Sequence, residues 1–152
     1  KGAIAAVAGI GASGTTNLDG SLLVTNAKNT GDQARVDPDK RHPRTAIGAS
    51  ADGRTAYVVA IDGRSSSSVG VTLPELADYM ISIGAANAIN LDGGGSTAFI
   101  FSPEGESTLL TNKPSDGKFR PVAVNLGFRP SATHGNADVV SKPEAKPAGA
   151  GR

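Results

Sequence analysis

The sequence predicts an α+β domain: a mixed β-sheet with a β-hairpin, one βαβ crossover, and a helix packed on the sheet. Three observations lead to this prediction. Two apolar runs flank Asp52 and Gly53, a dipeptide typical of hairpin turns. An amphipathic pattern then covers residues 73–83, and a short apolar run at 85–91 follows it directly.

The first predicted strand is the apolar run SLLV, and the hairpin comes after it. The hairpin strands are TAIGAS and TAYVVAID, at residues 45–50 and 55–62. An antiparallel pair closed by the Asp-Gly turn places Thr45 opposite Ala60. The beginning of the first hairpin strand is therefore expected at the same edge as the end of the second.

The stretch TLPELADYMISIG predicts a helix with a cap at its start and a glycine at its end. Thr72 and Glu75 have the spacing of a capping box, and Gly84 is a natural stop. Helical periodicity places these apolar residues on one face: Leu73, Leu76, Ala77, Met80 and Ile83. Because a helix between two strands usually joins parallel ones, strands 57–61 and 88–91 are expected to run in the same direction.

The predicted domain covers residues 1–128, with its core at 20–128. STAFIF, STLLTN and PVAVNLGF are its last predicted strands. Residues 129–152 are rich in Pro, Ala, Gly and Lys and have little to bury. They are therefore expected to form a disordered tail.

Composition argues against several functional classes. Cysteine is absent, which removes disulfides, thiol catalysis and cysteine-based zinc sites. A net charge of +1 gives no support for a nucleic-acid surface, and no run of 18 apolar residues predicts a membrane span. No cofactor is expected, with calcium as the alternative because carboxylates and main-chain carbonyls are its usual ligands.

Charged side chains are predicted to meet at one edge of the sheet. Asp62 and Arg64 follow one of the two parallel strands, and Asp92 follows the other. Ligands favour the crevice beyond the carboxyl ends of such strands. The hairpin adds Arg44 and Thr45 to that edge, so two carboxylates and two guanidinium groups are expected in one pocket.

Three glycines in a row follow the buried strand, in the segment NLDGGGST. Glycine costs about 0.5–1 kcal/mol relative to alanine inside a regular element, so stability does not account for three together. The amides of Gly93, Gly94 and Gly95 are predicted to form a concave nest for an anionic oxygen, with the hydroxyls of Ser96 and Thr97 as further donors. Arginine binds phosphate or carboxylate through paired hydrogen bonds, so the predicted ligand is an anion.

Several of these residues also have a structural interpretation. Glu75 fits a helix cap better than a catalytic group, and Asp62 fits a turn as well as a catalytic carboxylate. Asn90 is expected either to point into the crevice or to stabilise the turn that follows its strand. His42, in the charged run DPDKRHPR, is expected to be exposed to solvent.

Four segments, in this order, resemble the phosphodiester glycosidase family: HPRTAIG, IDGRSSSSVGVTLPELADYM, INLDGGGSTAF and NKPSDGKFRPVAVNLGF. The resemblance covers about residues 20–128 and implies hydrolysis of a sugar-1-phosphodiester at the anomeric C–O bond. Exopolysaccharide, teichoic-acid-like polymers or other glycan phosphates are the implied substrates. The family includes many bacterial exported proteins, so a secreted or cell-surface location in a bacterium is expected.

The resemblance also implies roles for the residues at matching positions. Asp92 is the first choice for the catalytic carboxylate, Asp62 the second, and Glu75 a third. The implied substrate-binding and phosphate-binding residues are Arg44, Thr45, Arg64, Asn90, Gly93, Gly94, Gly95, Ser96, Thr97 and Arg120. Two further positions match the family, Gly63 and Asn112.

Two expectations concern the completeness of the site. The family usually carries an upstream Asn-Gly-x-Phe-Phe-like motif, and the sequence has none. A further N-terminal segment or a second chain is therefore expected to complete the pocket. The alternative to an enzyme is a non-catalytic module that binds a sugar phosphate or cell-wall glycan through the same anion cradle.

Overall fold

The computed structural model describes residues 21–34, 36–101, 109–110, 112–122 and 126–128. The chain divides into two compact units, Lys1–Val122 and Ala123–Arg152. All the elements described below belong to the first unit, and residues 126–128 of the second are irregular. The predicted tail at 129–152 lies outside the described residues.

A five-stranded sheet forms the centre of the first unit. Its strands in chain order are β1 (Leu22–Thr25), β2 (Lys28–Asn29), β3 (Arg44–Ala49), β4 (Ala56–Ile61) and β5 (Asn87–Asn90). Their spatial order is β2-β1-β5-β3-β4, and every neighbouring pair is antiparallel. A separate antiparallel pair joins β6 (Ile100–Phe101) to β7 (Leu109–Leu110).

The predicted α+β class and the hairpin are confirmed, including the register of the hairpin. Thr45 pairs with Ala60 between β3 and β4. Strands β4 and β5 run in the same direction, because each is antiparallel to β3, which lies between them. The two strands joined by the crossover are therefore not neighbours, but their carboxyl ends still reach the same edge of the sheet.

Helix α1 (Leu73–Ser82) begins at the predicted capping box. The Thr72 hydroxyl accepts a hydrogen bond from the Glu75 amide, and the Glu75 carboxylate accepts one from the Thr72 amide. These bonds satisfy two amides that the start of a helix leaves without partners. The helix ends before Gly84, where φ is +104°. In the described part of the chain, no helix has the length and apolar character needed to cross a membrane.

The hydrophobic core lies between α1 and one face of the sheet. Leu73, Leu76, Ala77 and Met80 of the helix are fully buried, as the periodicity predicts. They belong to one cluster with strand residues that include Leu23, Val24, Ala46 and Ala88. A Cβ on Gly48 would lie 2.7 Å from Cε of Met80, so the helix packs close to the strands beneath it.

The strands after β5 are shorter than predicted. In STAFIF only the last two residues form a strand, because Gly94–Ser96 form a short 3₁₀ turn. The Ser96 and Thr97 amides donate to the carbonyls of residues 93 and 94, which bends the chain away from an extended path. In PVAVNLGF, residues 121–122 and 126–128 are irregular, and the other three lie outside the described residues.

Candidate active site

Three segments that are distant in sequence meet at the edge where β4 and β5 end. Strands β3 and β4 stay paired up to the end of β4. The Leu91 amide donates to the Thr45 carbonyl at 2.8 Å, and the Gly94 amide donates to the Pro43 carbonyl at 2.9 Å. The main chain therefore converges as the predicted topology requires, but the Arg44 side chain is buried while those of Arg64 and Asp92 are exposed.

The first two glycines of the turn at 93–95 make room for groups of the protein itself. A Cβ on Gly93 would lie 2.8 Å from the carbonyl oxygen of Pro43. Gly94 has φ +61°, a conformation that favours glycine. A Cβ on Gly94 would also lie 3.3 Å from both Nη atoms of Arg64. A carbonyl and a guanidinium group therefore approach bare backbone at these two positions.

The third glycine faces a carboxylate. A Cβ on Gly95 would lie 2.5 Å from Oδ1 of Asp116 and closer still to Oδ2. The same carboxylate pairs with Arg120, whose Nη2 lies 2.5 Å from Oδ2. Arg120 thus holds the Asp116 carboxylate, which packs directly on the glycine turn.

Two of the three amides in the predicted nest are already bonded within the protein. The Gly93 amide donates to Oδ1 of Asp92 at 2.9 Å, and the Gly94 amide donates to the Pro43 carbonyl. The groups beside the turn that remain open to a ligand are therefore side chains rather than these two amides.

Arg64 holds an exposed guanidinium group against the turn. Its φ of +56° is rare for a residue other than glycine, and such strain costs about 1–3 kcal/mol and is concentrated at functional sites. Its Nη2 lies 3.1 Å from Nδ1 of His42. Within the described residues Arg64 forms no ion pair. An exposed cation without a paired carboxylate is suited to binding an anion.

Arg44, by contrast, is only 3 % exposed. Its guanidinium group donates to four main-chain carbonyls, those of Val36, Asp37, Lys40 and Val71, at 2.8–3.4 Å. Burial lowers the pKa of this group below its ordinary value. These contacts make Arg44 a support for the loop that precedes β3.

Asp62 connects the edge to the segment at 112–113. Its Oδ1 accepts hydrogen bonds from Nδ2 of Asn112 and from the Lys113 amide, both at 3.0 Å. Asn112 also donates to the Thr97 carbonyl at 3.1 Å and accepts from the Phe99 amide at 2.6 Å. Asp62 and Asn112 together hold this segment against the strand ends.

Two other predicted binding residues, Thr45 and Asn90, lie on opposite faces of the sheet at this edge. Oγ1 of Thr45 lies 3.4 Å from Oγ1 of the buried Thr97. Asn90 pairs with Ala46 and so lies on the face covered by α1. Asn90 is 7 % exposed, and its Oδ1 has no hydrogen-bond partner among the described residues. A buried acceptor without a partner costs about 1–3 kcal/mol, so stability alone does not account for Asn90.

Glu75 is bonded at the start of α1. It closes the capping box with Thr72 and forms an ion pair with Arg41. The hydrogen bond from the Thr72 amide is the largest cause that holds the pKa of the Glu75 carboxyl below its ordinary value, and the charge of Arg41 acts in the same direction. These contacts are those of a helix cap.

Sequence reasoning missed Asp116 and the position of His42. Asp116 stands between Asn112 and Arg120, which the resemblance had matched, but no local pattern indicates its contact with Gly95, because residues 112–122 contain no regular element. His42 has a half-buried ring, 24 % exposed, rather than the exposed one expected. No local pattern indicates this, because the ring lies against Arg64, which is 22 residues away in sequence.

The glycine turn is therefore flanked, within the described part of the chain, by a guanidinium group that has no ion pair, on Arg64, and by the carboxylates of Asp92 and Asp116. Among the described residues, no three His, Asp or Glu side chains come together as a metal site. A guanidinium group can hold a phosphate, and a carboxylate can activate water or attack an electron-poor carbon. The arrangement suits a reaction in which an anion leaves a carbon that becomes positively charged.

Comparison with known proteins finds a matching family model and several similar proteins. A family model for phosphodiester glycosidases matches residues 5–129. The prophage-derived protein YomE of Bacillus subtilis is 40 % identical over 91 residues, which are 60 % of this chain and 13 % of that protein. Human N-acetylglucosamine-1-phosphodiester α-N-acetylglucosaminidase is 38 % identical over 73 residues, which are 48 % of this chain and 13 % of the human protein.

A solved structure is also similar, that of the catalytic domain of zebrafish N-acetylglucosamine-1-phosphodiester α-N-acetylglucosaminidase, auto-inhibited by its pro-peptide. It has 24 % identity and a TM-score of 0.49, and the match covers 62 % of this chain and 33 % of that one. The match to this chain spans 13 % of the length of both curated relatives named above.

Proposed function

The chain belongs to the phosphodiester glycosidase family, and from that premise we propose that it hydrolyses the glycosidic bond of a sugar-1-phosphodiester. The observation that carries the proposal is the turn at 93–95, with the Arg64 guanidinium group over Gly94 and the Asp116 carboxylate against Gly95. The reaction needs a cation for the departing phosphate and a carboxylate near the sugar carbon. The turn has one group of each kind, beside the adjacent residues Gly94 and Gly95.

The first need is to stabilise the leaving group. Water adds to the anomeric carbon and gives up one proton, which ends in the solvent or on the phosphate; the bond from that carbon to the phosphate oxygen breaks, and a phosphate monoester departs with the electron pair. Because this product is already a stable anion, it needs charge stabilisation more than a proton. We assign that role to Arg64, whose planar donors suit phosphate. In this proposal Arg44 supports the neighbouring loop instead.

The second need is a carboxylate near the anomeric carbon, which gains positive charge in the transition state. Asp92 is our first choice, because it is exposed and directly precedes the turn. The structure adds Asp116 as the second candidate. Asp62 and Glu75 are assigned structural roles, since one holds the 112–113 segment and the other caps α1.

Release of sugar from a methyl diester of N-acetylglucosamine 1-phosphate tests the proposal. Replacing the catalytic carboxylate, by Asp92→Asn or Asp116→Asn, is expected to lower kcat at least about 100-fold with folding intact. Glu75→Gln serves as the matched control and keeps the wild-type rate. If both aspartate variants also keep that rate, the assignment of the carboxylate is wrong.

The rival function is a module that binds sugar phosphate without cleaving it. It draws support from the many structural contacts made by Arg44, Asp62 and Glu75. Binding of the same diester without release of sugar would favour it. For either function we propose a secreted or cell-surface location, where exopolysaccharide and teichoic-acid-like polymers would be reached.

A further inference from the structure

His42 lies beside the guanidinium group to which we assign the phosphate. Nη2 of Arg64 is 3.1 Å from Nδ1 of His42. Because an arginine nitrogen only donates, Nδ1 must carry a lone pair. The proton of the neutral ring is then on Nε2, which faces Oδ2 of Asp37 at 3.8 Å. The contact therefore requires a neutral imidazole in one tautomer.

The main chain holds His42 in place independently of its ring. The His42 amide donates to the Val71 carbonyl at 3.2 Å, and the Val71 amide donates back at 3.1 Å. A Cβ on Gly70 would lie 2.5 Å from the carbonyl carbon of His42, so the bridge is closely packed. A change in the ring can therefore act on Arg64 without displacing the strand that follows.

Arg64 depends on such a contact because little else holds its side chain. The residue is exposed, and the described part of the chain offers its guanidinium group no carboxylate partner. Ordering a long side chain on binding costs rotamer entropy. A contact that already holds the side chain over Gly94 reduces that cost and raises affinity.

Charged groups face His42 from three of the segments around it, whereas the bridged segment at Gly70 and Val71 contributes none. The loop before it contributes Asp37 and Lys40, β3 contributes Arg44, and the segment after β4 contributes Arg64. Burial is the largest cause that lowers the pKa of the ring, and the two arginines act in the same direction against the smaller opposing effect of Asp37. The surroundings thus favour the neutral ring that the contact requires.

We propose that neutral His42 is the positioning residue that holds Arg64 toward the phosphodiester, and that protonation of the ring releases Arg64 and weakens binding. The inference rests on the proposed function, in which Arg64 holds the phosphate. A protonated Nδ1 donates instead of accepting, so the contact would join two donors of like charge. Affinity should then fall in acid, although the charge on a phosphodiester stays constant there.

Two substitutions separate the acceptor from the charge. In His42→Asn the amide oxygen takes approximately the place of Nδ1, accepts from Arg64 and does not titrate. In His42→Leu the acceptor is gone. Because the active chain would hydrolyse the methyl diester of N-acetylglucosamine 1-phosphate, every chain compared also carries Asp92→Asn, and "wild type" then refers to residue 42. The measurement is the Kd of that diester over about pH 5 to 8, the range in which histidine titrates.

We expect the wild-type Kd to rise about tenfold toward acid, from the loss of a hydrogen bond to a charged group. His42→Asn should bind equally well at every pH, and His42→Leu should bind about tenfold more weakly throughout. In a chain that already carries Arg64→Gln, His42→Leu should have no further effect, because the residue through which it acts is absent.

Equal pH dependence in the wild type and His42→Asn would overturn the inference and leave the proposed function standing. Failure of the wild type to bind the diester at any pH would overturn both. Should His42→Leu not fold, His42→Gln tests the same loss, since its amide reaches the position of Nε2 instead. Nitrogen-15 NMR of the ring gives a readout without ligand: a proton on Nδ1 at neutral pH would contradict the proposed contact.

Discussion

Arg44 and Arg64 were both predicted to hold phosphate, and the fold gives them opposite surroundings. Both lie at the edge where β4 and β5 end. Arg44 is buried and bonded to four carbonyls, whereas Arg64 is exposed and meets the ring of His42. A guanidinium group is free for a ligand only where the protein has not already supplied acceptors. The same residue type therefore supports structure on one side of the edge and is available for chemistry on the other.

Replacing each arginine by methionine gives the strongest test of this contrast. Arg44→Met is expected to lower the free energy of unfolding by about 3 kcal/mol or more, because it leaves buried carbonyls without donors. Arg64→Met should change it by less than about 0.5 kcal/mol, as surface substitutions do, while weakening binding of the diester. Urea denaturation measures the first effect. Equal losses of stability in the two variants would show that Arg44 and Arg64 do not differ in structural role.

Alanine at the first and third glycines separates structure from function within one turn. Gly93→Ala meets the carbonyl of Pro43, a main-chain group that cannot move alone, and is expected to cost about 1–3 kcal/mol of stability. Gly95→Ala meets the end of the Asp116 side chain, which can swing away. Gly95→Ala should therefore lower the free energy of unfolding by less than Gly93→Ala does, and lower the turnover of the diester by more.

Gly127→Ala is the control for the glycine pair, because no atom of the described residues lies within 4 Å of a Cβ built there. Denaturation and turnover of the diester are measured for all three variants. Full activity in Gly95→Ala would show that the position of Asp116 against the turn is not required for the reaction.

Glu75 gives the smallest expected effect. Glu75→Ala should cost about 0.5–1 kcal/mol, as the loss of a capping interaction does, while Glu75→Gln keeps the capping box and the activity. Because its folded-state pKa is lowered, the carboxylate stabilises the fold above its unfolded pKa of about 4.3, and this contribution is lost as the pH falls through the folded value. Acid denaturation of Glu75→Gln should lack that component. A large fall in the turnover of the diester by Glu75→Gln would instead indicate that Glu75 is a catalytic residue.

Local patterns were sufficient to predict most of the fold around the site. The Asp-Gly turn determined the pairing of Thr45 with Ala60, and the Thr72–Glu75 spacing determined where α1 begins. Both depend on residues close together in sequence. The length of the strand after β5 could not be predicted this way, because the bonds from residues 96 and 97 to 93 and 94 compete with an extended chain.

The sequence by itself determined which positions reach the edge, because strand direction follows from periodicity, turns and connection lengths. Tertiary structure alone decided what each side chain does there. Whether Arg44 or Arg64 is free, and which groups lie against the glycines, depends on partners such as His42 and Asp116 that arrive from other parts of the chain. Hydrogen bonds and close contacts are satisfied by whichever groups are nearest in space, and sequence separation carries little information about that distance.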